Sequence, residues 1–213
     1  MQDIPVFATQ LGVASLELQQ IPYTENAYIK LQSSENIDDF MKECVSFCKM
    51  AGAVRVYVSG AGLENKYPLH TQIWRMSLDR PVSTETAMLF PLQENTLGTF
   101  LEIYNNGMES VPNATYLSKA QGKLLLKEKD AYFVHQDGQL LGIGVILDNK
   151  IEAIVSCRKG AGELIMNTLC SAISAETVEV EVASENLAAV RLYERMGFVR
   201  VEILNTWYDV SEI

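Results

Sequence analysis

The chain has 213 residues, 48% of them apolar and 21% charged, with few Gly and Pro, so a buried core is within reach and neither disorder nor collagen-like repetition is indicated. Its formal net charge of −10 argues against nucleic acid and against anionic membrane surfaces, whose phosphates must be met by Lys and Arg. An acidic surface first of all serves solubility, and it mildly favours cationic acceptors such as amines.

In chain order, the opening MQDIPVFATQLGV lacks a basic stretch followed by an apolar one, so no secretion signal is expected and the chain is placed in the cytoplasm. No apolar run approaches the ~18 residues that span a bilayer. Residues 14–18, 27–31, 35–50 and 51–60 read as β-β-α-β. Cys44 and Cys48 lie four apart on the helix of that unit, the spacing of two buried thiols. With the histidines, His70 and His135, far apart, no metal site is expected. Trp74 and Trp207 read as core or interface anchors.

From about Ala87 the alternation continues. Met88–Leu92 is a short strand. Leu97, Phe100, Leu101 and Tyr104 give the i, i+3, i+4, i+7 spacing of a helix over 96–108. Ser118 caps a second helix to Glu128. Strands over 131–135 and 139–147 form a hairpin around Gln136-Asp137-Gly138. After the turn Asp148-Asn149-Lys150 comes the strand 151–156, then a glycine-containing loop and helix over 157–173. Val178, Val180 and Val182 alternate with Glu179 and Glu181 as in a half-buried strand. Ser184 and Asn186 can cap the helix from Leu187 to Met196, which Gly197 ends. Val199–Val210 supplies one or two closing strands. Asn186 and Tyr193, seven residues apart, sit on one side of their helix and offer an amide and a phenol.

That last helix carries Asn186, Ala189, Leu192, Tyr193, Glu194, Gly197 and Phe198, which resembles the closing N-x-x-A-x-x-L-Y-E-x-x-G-F motif of the GNAT superfamily of acyl-CoA-dependent N-acyltransferases. The resemblance implies an α/β (α+β) fold with a mixed, mostly antiparallel central sheet flanked by helices. It covers about 125 residues and gives two domains: 87–213, the catalytic GNAT domain, and 1–86, a smaller β-β-α-β domain. Laid on the second part with Val54 over Val178, an offset of 124 residues, the first part tracks it without a gap and reads either as a degenerate half-copy or as a β-α-β segment that aligns by period alone. Ser33-Ser34-Glu35-Asn36 stands there in place of a glycine loop, and no tyrosine matches Tyr193. The half-copy is therefore expected not to bind CoA, and to pack against the catalytic half, shape the acceptor cleft or form a homodimer.

The resemblance also implies a chemistry. Cys157-Arg158-Lys159-Gly160-Ala161-Gly162 matches the family's pyrophosphate loop, with Cys157 at the position of its Gln or Arg and a length about three residues short of the family's usual loop. Ile154, Val155 and Ser156 would pair through their backbone with the pantetheine arm of acetyl-CoA, and Asn186 would help position it. Tyr193 is the candidate acid: a phenol of pKa ~10 can protonate the departing thiolate, whose thiol titrates near ~8.5. The attacking amine needs a base, for which Glu152 is the first candidate, Glu181 the second and Glu109 the third. The expected reaction is direct acetyl transfer from acetyl-CoA to a primary amine of a small molecule or peptide. A catalytically silent acyl-CoA sensor and a paired-domain scaffold are the alternatives.

Overall fold

The computed structural model describes residues 5–79 and 85–213, which form two compact units: one up to Gln72 together with Leu204–Ile213, the other Ile73–Ile203. The sequence reading divides the chain at 86/87. In the structure the cut falls inside the strand β5 (Leu69–Asp79), and the end of the chain returns to the first unit through β11 (Val199–Asp209). Hydrophobic periodicity marks strands but not which partner a long strand joins.

In the first unit the strands β1 (Val6–Thr9), β2 (Gly12–Glu17), β3 (Asn26–Ser34) and β4 (Arg55–Ser59) lie side by side in that order, with the end of β11 next to β4. Among the described residues of this unit only β3 and β4 run parallel. A short helix α1 (Ile21–Thr24) leads into β3, and α2 (Ile37–Met50) makes the crossover to β4, the connection that parallel strands require. Asn36 starts α2: its side chain accepts the Asp39 N–H at 3.3 Å, and Asp38 and Asp39 sit in the first turn where the helix dipole favours them. Phe40, Met41, Cys44, Val45 and Cys48 form the buried stripe of α2, packed on Ala14, Leu16, Ala27, Ile29, Val56 and Val58 of the sheet. Each large side chain so buried contributes ~1.5–3 kcal/mol. The alternation along β3 turns Tyr28 to the other face, where its ring meets Tyr57 at 5.7 Å and Trp207 edge-on at 5.4 Å.

In the second unit β6 (Met88–Pro91), β7 (Ala131–Gln136), β8 (Gln139–Leu147), β9 (Lys150–Ser156) and β10 (Thr177–Ala183) follow one another across the sheet, and β5 lies beyond β10. The hairpin between β7 and β8 turns on Asp137 and Gly138, both at positive φ (51° and 74°), as the Asp-Gly pair predicts. Helices α3 (Leu97–Met108) and α4 (Lys119–Glu128) are joined to one core with Phe133, Ile143, Ala153 and Val155. Helices α5 (Gly162–Ala172) and α6 (Leu187–Arg195) are joined to another with Ile151, Val178, Val180 and Val182. Where β8 pairs with β9, Val145 faces Ala153 but Ile146 faces Ile151, so Glu152 is the extra residue of a bulge. The bulge sends Ile151 into one core and Ala153 and Val155 into the other.

The 124-residue offset reappears as strand register. Asn26 pairs with Arg55 and Ala27 with Val56 between β3 and β4; Lys150 pairs with Glu179 and Ile151 with Val180 between β9 and β10. The rungs are equivalent, but their continuation is not. The β3–β4 ladder runs on to Lys30 and Ser59, whereas the β9–β10 ladder ends at Ile151 and Val180.

Candidate active site

The site grows from the end of that short ladder. Beyond Ile151 and Val180, β9 and β10 carry no further paired rungs among the described residues, so the facing backbone edges of 152–156 and 181–183 are open to an extended ligand. β9 then feeds the loop 157–161 and the start of α5. The Ser156 hydroxyl donates to the Arg158 carbonyl at 2.6 Å and accepts the Arg158 N–H at 3.3 Å, which folds the loop back on itself. Gly160 takes a φ of +85°, a conformation that strains any residue with a Cβ, and the space beside it is open. Ala161 occupies the N-cap of α5 and supplies no side-chain cap, so the first amides of the helix are left to an anion.

These residues border a cleft of ≈ 430 Å³ whose loop side is made by Ser156, Cys157, Arg158, Lys159, Gly160 and Gly162. Glu163 lines it too, and α6 supplies the opposite wall with Ala188, Leu192 and Arg195. The Arg158 guanidinium donates to the side-chain oxygen of Gln139 on β8. Lys159 and Arg195 make no ion pair among the described residues, so their charge is available to a ligand.

Tyr193 is buried in the core that also holds Ile151, Val180 and Cys170, and its ring packs on Phe198 at 5.7 Å. Burial pushes its phenol up to about 12, with the neighbouring Cys170 adding to the shift. The phenol therefore keeps its proton across neutral pH, as an acid must. It is also a weaker acid than an exposed tyrosine. Burial likewise pushes the neighbouring Cys170 thiol up to about 12.

Glu152 does not stand alone. The Lys150 ammonium lies 2.7 Å from it and 2.8 Å from Glu181. Burial alone would lower the Lys150 pKa, but the hydrogen bonds to Glu152 and Glu181 raise it above its ordinary value. The two leading base candidates are thus tied to one cation. Burial and the Glu152 charge raise Tyr104 on α3. Glu109, the third candidate, closes α3 as its C-cap residue.

Tyr193, Glu152, Ile154, Val155 and Asn186 are not among the residues that line the cleft, whereas Cys157 is. Asn186 caps α6, its side chain accepting the Ala189 N–H at 3.3 Å, so its amide oxygen serves its own helix. Val155 turns its side chain away into the α3 core, and Ile154 is partly buried beside the α5 core, leaving only their backbone for a ligand. Cys157 is at the surface, and desolvation raises its thiol rather than activating it. His70 stacks on Tyr57 at 3.8 Å and His135 meets Phe90 edge-on at 5.2 Å. Trp207 is buried against Tyr28, while Trp74 lies under the Arg200 guanidinium at 4.6 Å. Among the described residues no group of His, Cys, Asp and Glu is gathered as a metal would need, and no helix is long and apolar enough to cross a membrane.

Two features escaped the sequence reading. Arg195 joins the cleft because Ala188, Leu192 and Arg195 recur on one face of α6; that spacing was legible, but an arginine in a last helical turn reads first as a partner of the helix dipole. Gly107 in α3 sits directly against the Val155 side chain, with no room for a Cβ. A glycine inside an otherwise good helix was the signal for that close approach.

Residues 102–205 match the family profile described as the acetyltransferase (GNAT) domain. They are a GNAT domain. No curated protein matches the chain. Among solved structures, the chain resembles a functionally unknown conserved protein from Staphylococcus epidermidis at 11% identity and a TM-score of 0.60, over 97% of this chain and 93% of that one. It also resembles a GNAT-family acetyltransferase from Colwellia psychrerythraea, at 13% identity and a TM-score of 0.53, over 96% and 84% of the two chains. A tandem GNAT protein from the clavulanic acid biosynthesis pathway aligns at 11% identity and a TM-score of 0.52, over 93% and 78%. At these identities the likeness is one of fold, and it extends beyond the GNAT domain into the first unit.

Proposed function

We propose that the chain is an N-acetyltransferase that moves the acetyl group of acetyl-CoA to a primary amine. The observation that carries this reading is the early end of the β9–β10 ladder at Ile151 and Val180, directly below a cationic loop at a helix start. The pantetheine arm would lie along the open edge of β9, with the pyrophosphate at Gly160 and the first amides of α5. The amine nitrogen attacks the thioester carbonyl, the C–S bond breaks, and the sulfur takes the Tyr193 proton. The amine passes its own proton to Glu152, directly or through water, once Lys150 releases that carboxylate. The acceptor is a small molecule or peptide, the compartment the cytoplasm, and no metal enters the scheme.

The test is release of CoA thiol from acetyl-CoA across a panel of amines, polyamines and peptides. Amine-dependent release supports transfer. A second reading, an acyl-CoA sensor without turnover, is favoured by the Lys150–Glu152 ion pair, which occupies the base. Tight acetyl-CoA binding with no release to any amine would select it.

A further inference from the structure

We infer that Arg195 reads the 3′-phosphate of the donor, so that the cleft selects CoA thioesters over their dephospho forms; this rests on the acyl-CoA reading above. CoA carries a phosphate on the 3′ oxygen of its ribose as well as the pyrophosphate on the 5′ oxygen of the same sugar. The cleft offers anion-binding groups on two walls. On the loop wall stand Gly160, Lys159 and the uncapped start of α5, the natural seat of the pyrophosphate. Arg195 is the cation of the other wall, on α6. It lies one turn beyond Leu192, whose side chain fixes the wall against the start of α5: a Cβ built on Gly162 would come within 3.1 Å of it.

Arg158 and Arg195 are differently committed. Arg158 is engaged by Gln139, whereas Arg195 makes no hydrogen bond or ion pair with any described residue. An unpaired guanidinium facing a cleft has the planar, two-pronged donor set that suits a terminal phosphate monoester, which carries three free oxygens on one phosphorus where each phosphorus of the diphosphate carries two.

The experiment is calorimetric titration of CoA and dephospho-CoA into the intact chain and into Arg195→Gln and Arg195→Lys. The assignment predicts that the unaltered protein binds CoA about tenfold or more tighter than dephospho-CoA. Arg195→Gln should remove that preference by weakening CoA alone, and Arg195→Lys should keep part of it. Equal affinity for both ligands in the unaltered protein would overturn the assignment while leaving the acyl-CoA reading standing. So would an Arg195→Gln variant that weakens both ligands equally. Failure of the unaltered protein to bind either ligand would overturn both.

Discussion

Ile151 and Val180 form the last rung between β9 and β10, while their counterparts Ala27 and Val56 are followed by further rungs up to Lys30 and Ser59. One fold element thus occurs twice in the chain, open in the GNAT domain and closed in the first unit. A ligand that adds itself to a strand edge needs the open form, because in the closed form the partner strand already takes the backbone groups. The helix starts differ in the same sense: Asn36 caps α2 with its own side chain and Asp38 and Asp39 follow it, whereas α5 has no side-chain cap. The first unit is closed to an anionic ligand at both points.

Gly160→Asp is expected to abolish acetyl-CoA binding. The aspartate would hold a φ of +85° against its preference and place a carboxylate where the pyrophosphate belongs. Asn36→Ala at the equivalent helix start should lower stability by about 1 kcal/mol, through the lost cap, and leave binding untouched. Calorimetry and urea unfolding on the two variants separate the effects.

Tyr193→Phe should lower kcat by about 100-fold while acetyl-CoA affinity stays within about twofold, as expected for a group acting on the leaving thiolate. Unchanged turnover at every pH would remove Tyr193 from the acid role.

The buried phenol also sets an alkaline limit. Tyr193 and Cys170 are both pushed up to about 12, from ordinary values of 10.0 and 9.0. Below pH 9 folded and unfolded chains hold these protons alike. As pH rises further the unfolded chain releases them first, so stability falls from about pH 9 to about pH 12. Unfolding measured across that range should decline less steeply in Tyr193→Phe than in the unaltered protein above pH 10, where the unfolded phenol begins to ionise.

Gly107→Ala tests the contact between α3 and β9. Its Cβ would collide with Val155, and the helix must move or the strand must give, a loss of about 1–3 kcal/mol. Val155→Ala in the same chain should recover part of that loss, a coupling that thermal unfolding of the double variant would reveal.

Much of this was legible in the sequence because the signals were local. The Asn186–Phe198 motif, the Ser118 cap and the Asp137-Gly138 turn each act within a few residues, and each stands in the structure as read. The first unit was legible as a copy because register follows from spacing, and the offset of Val54 on Val178 carries Asn26 onto Lys150. Long-range facts were not. Nothing in Leu69–Asp79 says that its later residues pair with β10, or that Tyr208 and Asp209 at the end of β11 pair with β4. The Lys150 bridge to Glu152 and Glu181 was equally hidden, since it depends on two strands whose pairing stops after its second rung.

The most direct measurement is the calorimetric titration of acetyl-CoA into the intact chain, beside desulfo-CoA and ATP. One site per chain is expected, with micromolar affinity that depends on the pantetheine arm, so that desulfo-CoA competes and ATP does not. Absence of binding, or two equivalent sites per chain, would contradict it.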